Sequence, residues 1–338
     1  MDTVSPSHLG ATILNGIPDP GLDGLRAHTD GRSMDFTFLG VAAFLGDMPQ
    51  DIRAWDHIYL PVTMAPDLQL PRKPLVNHMA DADFYGEALA QAITIVERTG
   101  FACFNDPRAV VGLRRHRLPE LLAGIEGLIV PRCIRVQPRG FEDLVEAVQA
   151  NGLSYPVIAR LPATHNGFSQ VLIESETAWP ALNSIPWGGR ELYLTQFHDY
   201  LDADGFYRKQ RVTVVGDTIL PRHGFGGRSW SVDSITKLPE FLAEELAWPP
   251  AFEKNVLPVI EDRVRAIADR VKLDYFGIDY SLRPGGDMLI FEVSATMNNT
   301  DVYRPATHAP IAQYPLNIRR ALADLLRRPD AWRCHRKP

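Results

Sequence analysis

Apolar and polar positions follow two periods along this chain, and the switches between them predict its elements. In DADFYGEALAQAITIVERTG (81–100) apolar residues recur at Phe84, Ala88, Ala92, Ile95 and Val96, the spacing of one helical face. Asp81 or Asp83 is placed to cap its start and Gly100 to stop it. Three apolar runs of strand length precede it: FTFLGVAAFL (36–45), which also suits part of a helix, HIYLPV (57–62) and PLVNHM (74–79). FACFN (101–105) follows as a strand. Strand, helix, strand predicts a small parallel α/β layer. Residues 1–35, rich in Gly, Pro and Asp and without a period, predict loop.

A second unit begins after residue 105 with helical segments and a strand near 132–136. GFEDLVEAVQANG (140–152) is a helix stopped by Gly152, and YPVIARLPATHNGFSQVLIES (155–175) reads strand, glycine loop, strand. IPWGGR (185–190) is linker-like. ELYLTQFHDYL (191–201) and a hairpin pair around Gly216-Asp217 (208–223) come next. A Trp-Pro-Pro break at 248–250 precedes a long helix over about 253–272, and a last helix spans about 312–327.

The hairpin DYFGIDYSLRPGGDMLIFEVSATMNN (274–299) carries the first chemistry. With Gly285-Gly286 as a two-residue turn, Leu282 faces Leu289, Tyr280 faces Phe291, and Asp279 faces Glu292. Ile278, Tyr280, Leu282, Leu289, Phe291 and Val293 then form an apolar face, and the two acids share the other. Opposed like charges repel unless something lies between them. A divalent cation, neighbouring bases such as Arg283, a glycosidase-type acid pair and a structural calcium all remain open at this point.

Composition narrows the class. The chain has 338 residues, enough for two or three domains, with 45% hydrophobic and 22% charged residues, a soluble average. A net charge of −6 with interspersed signs argues against nucleic acid as partner. The basic stretch from Arg319 to Lys337 reads as a solvated helix end with a frayed terminus. Cys103, Cys133 and Cys334 form no CxxC pair and suit a reducing cytoplasm. No run approaches the ~20 apolar residues of a membrane span, and no signal-peptide pattern opens the chain, so the expected location is cytoplasmic. Cations recur at strand ends: Arg160 closes PVIAR before the Gly167 loop, and Arg211 opens RVTVVGD behind Arg208 and Lys209. Arg115 and Arg117 stand before LPELLAGI, within reach of the same space, although a cluster such as RRHR also suits a solvated helix face. His165, His198 and His223 read as hinge or loop residues rather than bases.

In this order, from about 104 to 302, the segments resemble the ATP-grasp superfamily, above all its D-alanine–D-alanine ligase, glutathione synthetase and ribosomal-protein glutamate-ligase branches. DYFGIDYSL…DMLIFEVSATMNN resembles the family's metal hairpin, YPVIARLPATHNGF its strand and glycine loop over the phosphates, LYLTQFHDYLDADG its adenine hinge, and YRKQRVTVVGD its arginine strand. The segment 76–105 is similar to the small domain that precedes the grasp in many members. The resemblance implies an α/β fold, α+β in the grasp subdomains: a pre-grasp domain (1–105), two subdomains gripping ATP (106–186 and 187–330) and a tail (331–338). It implies ATP and Mg2+ as cofactors. Asp279, Glu292, Ser294 and Asn298 would hold metal, with Ser294 standing where the family has Asn. Arg117, Arg160, Gly167, Gln196, Phe197, His198, Asp199 and Lys209 would bind nucleotide, with Arg160 in place of the usual Lys. Arg211 would be catalytic. The implied activity is a ligase that activates a small-molecule acid as an acyl phosphate and joins it to an amine; a kinase and a nucleotide-binding regulator are the alternatives. Neither nucleic acid nor membrane is an expected partner, and a homodimer stays open.

Overall fold

The computed structural model describes residues 10–19, 24–27, 34–37, 40–61, 70–164, 167, 169–302 and 306–335. The first unit comprises β1 (Thr12–Gly16), the hairpin β2 (Gly24–Ala27) and β3 (Met34–Thr37), α1 (Gln50–Arg53), β4 (Asp56–Leu60), β5 (Leu75–Asn77), α2 (Gly86–Thr99) and β6 (Cys103–Phe104). Four of its strands make a parallel sheet in the order β4-β1-β5-β6. β1 is central, with Ile13 and Leu14 fully buried, although residues 1–35 were expected as loop. A strand covered on both faces shows no alternation, and Gly10, Gly16 and Pro18 around it mimic loop composition.

The run 36–45 is not one strand. β3 ends at Thr37, Gly40 turns with a φ of +69°, Val41 makes an isolated bridge to Met79, and Leu45–Asp47 form a 3-10 turn. Ala42 and Phe44 are buried, so its apolarity reports burial rather than period. The start of α2 also differs. Its first N–H groups, on Gly86 and Glu87, donate to the Asp19 carboxylate at 2.8 and 3.1 Å, whereas Asp81 accepts from Asp83 N in the preceding turn at 2.7 Å.

The second unit follows α3 (Pro107–Gly112), α4 (Leu118–Leu121) and β7 (Leu128–Ile129). It holds β8 (Cys133–Val136), α5 (Phe141–Ala150), β9 (Val157–Arg160), β10 (Gln170–Ile173) and β11 (Leu192–Gln196). Its antiparallel sheet runs β10-β9-β11-β8 over a core of its own that includes Leu144, Val157, Trp179 and Leu194. The sheet therefore extends to Gln196, past the expected boundary at 186/187.

The third unit holds β12 (Tyr207–Val215), β13 (Thr218–Gly227), α6 (Leu242–Ala251), α7 (Leu257–Val271), β14 (Tyr275–Leu282), β15 (Met288–Ser294) and α8 (Gln313–Leu326). Its sheet order is β13-β12-β14-β15-β7, with only the β15–β7 pair parallel. Trp-Pro-Pro does not break the helix. Pro249 and Pro250 lie in the last turn of α6, and a π-helical turn, Phe252–Val256, carries the chain into α7. The two prolines lack N–H groups, and the wider turn bridges the gap they leave in the ladder. The stretch expected to fray is packed as far as residue 335: Trp332 is fully buried against Phe104 at 5.6 Å, and Arg333 N donates to Asp274 at 2.6 Å. One continuous core joins the first unit to the third sheet. The buried Asn105 fastens them further, its Oδ1 accepting from the N–H groups of Asp274 and Tyr275 at 2.9 Å.

Candidate functional site

Four strands of the third sheet set one row of polar residues on one face. Arg211 of β12 is opposite His223 of β13 on one side and Asp279 of β14 on the other, and Asp279 is opposite Glu292 of β15. Directly opposed side chains share a face, and all four line a single cavity of about 780 Å³. The facing wall comes from the second unit, with Ile158 and Arg160 of β9 and Thr195 and Gln196 of β11.

The hairpin reaches this register by an unexpected route. Its turn has three residues, Pro284 to Gly286: Arg283 N donates to Asp287 O at 2.8 Å, Gly286 N to Arg283 O at 2.8 Å, and Gly286 has a φ of +89°. Pairing near the turn is Leu282 with Met288 and Tyr280 with Ile290, one residue off the expected match. A bulge at Phe291 then restores it, so Asp279 meets Glu292. The bulge also revises the apolar face. Met288 and Ile290 join Ile278, Tyr280 and Val293 in the core, while Phe291 lines the cavity and packs on Tyr200 at 4.8 Å.

Each acid meets its own arginine. Arg211 grips Asp279 through a fork, Nε to Oδ1 at 2.5 Å and Nη2 to Oδ2 at 2.9 Å, and Lys209 Nζ stands 3.7 Å from Oδ2. Arg115 Nη2 pairs with Glu292 Oε2 at 2.8 Å. Arg283 takes no part; its Nη1 donates to the Asp199 carbonyl at 2.7 Å. Burial opposes the charge of Arg211 and Arg115, and the facing carboxylates outweigh it, so both stay protonated.

Arg160 is different. It is 6% exposed, its Nη2 donates to the Thr164 carbonyl and to Thr164 Oγ1, and its Nε has no hydrogen-bond partner. Burial, and after it the charge of Arg115, pull its pKa down to about 9. A guanidinium so poorly compensated favours an anion brought into the cavity.

Among the described residues no group of three or more His, Cys, Asp or Glu is placed to hold a metal. Asp279 and Glu292, register partners on β14 and β15, form an all-oxygen pair on the cavity wall. That set fits Mg2+, which commonly takes one or two carboxylates and completes its shell with phosphate and water.

The other expected positions divide. Lys209, Gly167, Phe197, His198 and Asn298 line the cavity, and His165 lies outside the described residues. Gln196 lines it too, but its amide serves the neighbouring backbone: Oε1 accepts from Ser154 N at 2.8 Å and Nε2 donates to Ser154 O at 2.8 Å. Arg117 is exposed and outside the cavity lining; in the tight turn Arg115–Arg117 it is Arg115 that faces inward. Asp199 is likewise exposed outside the lining, its Oδ1 accepting from Leu201 N at 3.1 Å. Ser294 sits in a small adjoining pocket with Glu292, and its Oγ bonds Thr296 Oγ1 at 2.8 Å. Of the two arginines expected within reach of the cavity, Arg115 lines it and Arg117 does not; Arg222 was not singled out by the sequence, and His223, expected as a hinge or loop residue, stands within β13. No period in the sequence marks the bulges that aim such residues.

No family model matches the chain, and no curated protein matches it. Solved structures do. The chain is similar to VanG D-Ala:D-Ser ligase from Enterococcus faecalis, at 11% identity over 94% of this chain and 99% of that one, with a TM-score of 0.52. It is similar to carboxyaminoimidazole ribonucleotide synthase from Aspergillus clavatus complexed with ATP, at 11% identity over 94% of this chain and 78% of that one, TM-score 0.51. Against N5-carboxyaminoimidazole ribonucleotide synthetase in an ADP complex the identity is 16% over 74% of this chain, which spans 60% of that protein's length, with a TM-score of 0.47. At such identities the likeness concerns the fold.

Proposed function

We propose, for a chain that has the ATP-grasp fold, that it is an ATP-dependent ligase joining a carboxylic acid to an amine with release of ADP and phosphate. The observation that carries this reading is the row Arg211–Asp279–Glu292, facing Arg160 across one cavity. Phosphoryl transfer needs positioned cations around the transferring oxygens and no side-chain nucleophile. The row and the opposite wall supply that set. A structure of like fold was crystallised with ATP, which agrees with a nucleotide in such a cavity.

In this reading Phe197 and His198, at the hinge after β11, border the base, and Ile158 and Phe291 cover its faces. Arg160 and Lys209 bind phosphate oxygens, with Gly167 in the loop above them. Asp279 and Glu292 hold Mg2+, which when bound would neutralise the phosphate oxygens. Arg211 orients the substrate carboxylate beside the transferring phosphoryl group and stabilises the acyl phosphate, whose carbonyl carbon the amine then attacks. Ser294 and Asn298 would reach the metal only through water, because each side chain already bonds its own turn.

The test is ADP formation by the purified protein with Mg2+ and ATP across a panel of acids and amines. ADP that requires both acid and amine supports the ligase. ADP from an acid or alcohol alone assigns a kinase instead, and nucleotide binding with no turnover in any combination assigns a regulator.

A further inference from the structure

The row has one end that the proposed reaction leaves without a role. Across the β12–β13 ladder Arg211 faces His223, but the next pair is Val212 with Pro221, so Arg222 is the extra residue of a bulge. In a regular strand consecutive side chains leave on opposite faces. The bulge suspends that alternation, and Arg222 and His223 both line the cavity. They are 6% and 7% exposed. Arg222 Nη2 donates to the Asp301 carbonyl at 3.0 Å. The His223 ring stacks on Phe225, with centroids 4.0 Å apart, and its Nε2 has no hydrogen-bond partner. Burial, reinforced by Arg211 and Lys209 on β12, Arg222 on its own strand and Lys237 from the following loop, holds the imidazole neutral. A neutral imidazole keeps one N–H to donate. A buried guanidinium beside a buried imidazole whose Nε2 meets no hydrogen-bonding partner suits an anion.

Building on the ligase reading, we infer that the acid substrate carries a second anionic group, a carboxylate or a phosphate, which Arg222 and His223 receive while its reacting carboxylate lies at Arg211. Adjacent strands stand ~4.8 Å apart, so register partners on β12 and β13 suit two anionic groups joined by a short spacer.

Succinate, glutarate, 3-phosphoglycerate and butyrate, titrated calorimetrically into protein saturated with Mg2+ and a non-hydrolysable ATP analogue, test this. At least one of the three multiply charged acids should bind about tenfold more tightly than butyrate, and which one does separates carboxylate from phosphate. R222Q and H223F should remove that preference and leave the affinity for the ATP analogue within about twofold. R222K keeps the charge and should retain part of the preference, which covers the case where R222Q does not fold. Equal binding of all four acids to the wild type would overturn the inference. So would an arginine variant that weakens the analogue as much as the acid, because Arg222 would then be a nucleotide residue. Failure of the analogue to bind the wild type would remove the ligase reading, and this inference with it.

Discussion

Arg211 and Asp279 face each other across the β12–β14 ladder and close a two-bond fork of 2.5 and 2.9 Å. The pair is nearly buried, with side-chain exposures of 16% and 6%. Removing Arg211 leaves the buried Asp279 carboxylate only the longer contact to Lys209 at 3.7 Å, so Arg211→Gln should lower unfolding free energy by about 3 kcal/mol. It should also abolish ADP formation. Urea denaturation and the ADP assay check the two effects separately, and Arg211→Lys should recover stability more fully than activity, because an ammonium cannot form the fork.

Glu292→Gln keeps the shape of its side chain and removes the charge that meets Arg115 at 2.8 Å. Mg2+-dependent ADP formation should fall by at least about a hundredfold, with far-ultraviolet circular dichroism unchanged. Full activity in this variant would refute the role given to Glu292.

The two glycines of the turn should respond differently. Gly286 has a φ of +89°, whereas Gly285 has no positive φ, and a Cβ on either meets nothing within 4 Å. Gly286→Ala should therefore cost about 1 kcal/mol through backbone strain alone, and Gly285→Ala should be close to neutral. Denaturation midpoints of the two variants make the comparison.

Acid should destabilise the protein through His78. Burial pushes its pKa down to about 4, and its ring nitrogens meet Asn15 Oδ1 at 3.0 Å and Ala42 O at 2.9 Å. The unfolded chain, at the ordinary value near ~6.5, takes up a proton that the folded chain refuses. This contribution is full above about pH 6.5, is lost as pH falls toward about 4, and amounts to about 3 kcal/mol. His78→Gln should flatten the melting temperature over that window. His223, also held below its usual range, should leave a residual slope.

The hairpin shows how far the sequence could be read. Asp279 does face Glu292, yet the expected two-residue turn was one residue short and the bulge at Phe291 made up the difference. Alternation exposes a strand's two faces, but it cannot show where a ladder slips, because the slip is fixed by contacts between strands. For the same reason Arg222 stayed hidden: nothing in the alternation of its strand marks the bulge that brings it to the cavity beside His223. Helices α2, α5 and α8 were legible because each has an apolar stripe. β1 was not, since a strand covered on both sides carries neither stripe nor alternation. The cap on α2 was misplaced because Asp19 approaches from 67 positions away.

The two separate cores have a consequence for how the molecule works. Arg160 belongs to a jaw with its own apolar nucleus, whereas His223, Arg211, Asp279, Glu292 and the Arg115 turn sit on a slab fused to the first unit. Swinging the jaw open about the segment after Gln196 would carry away one cation and the roof over the base, and leave every register in the row intact. On the ligase reading, reagents would then enter and leave on one side while the groups on the other kept their alignment.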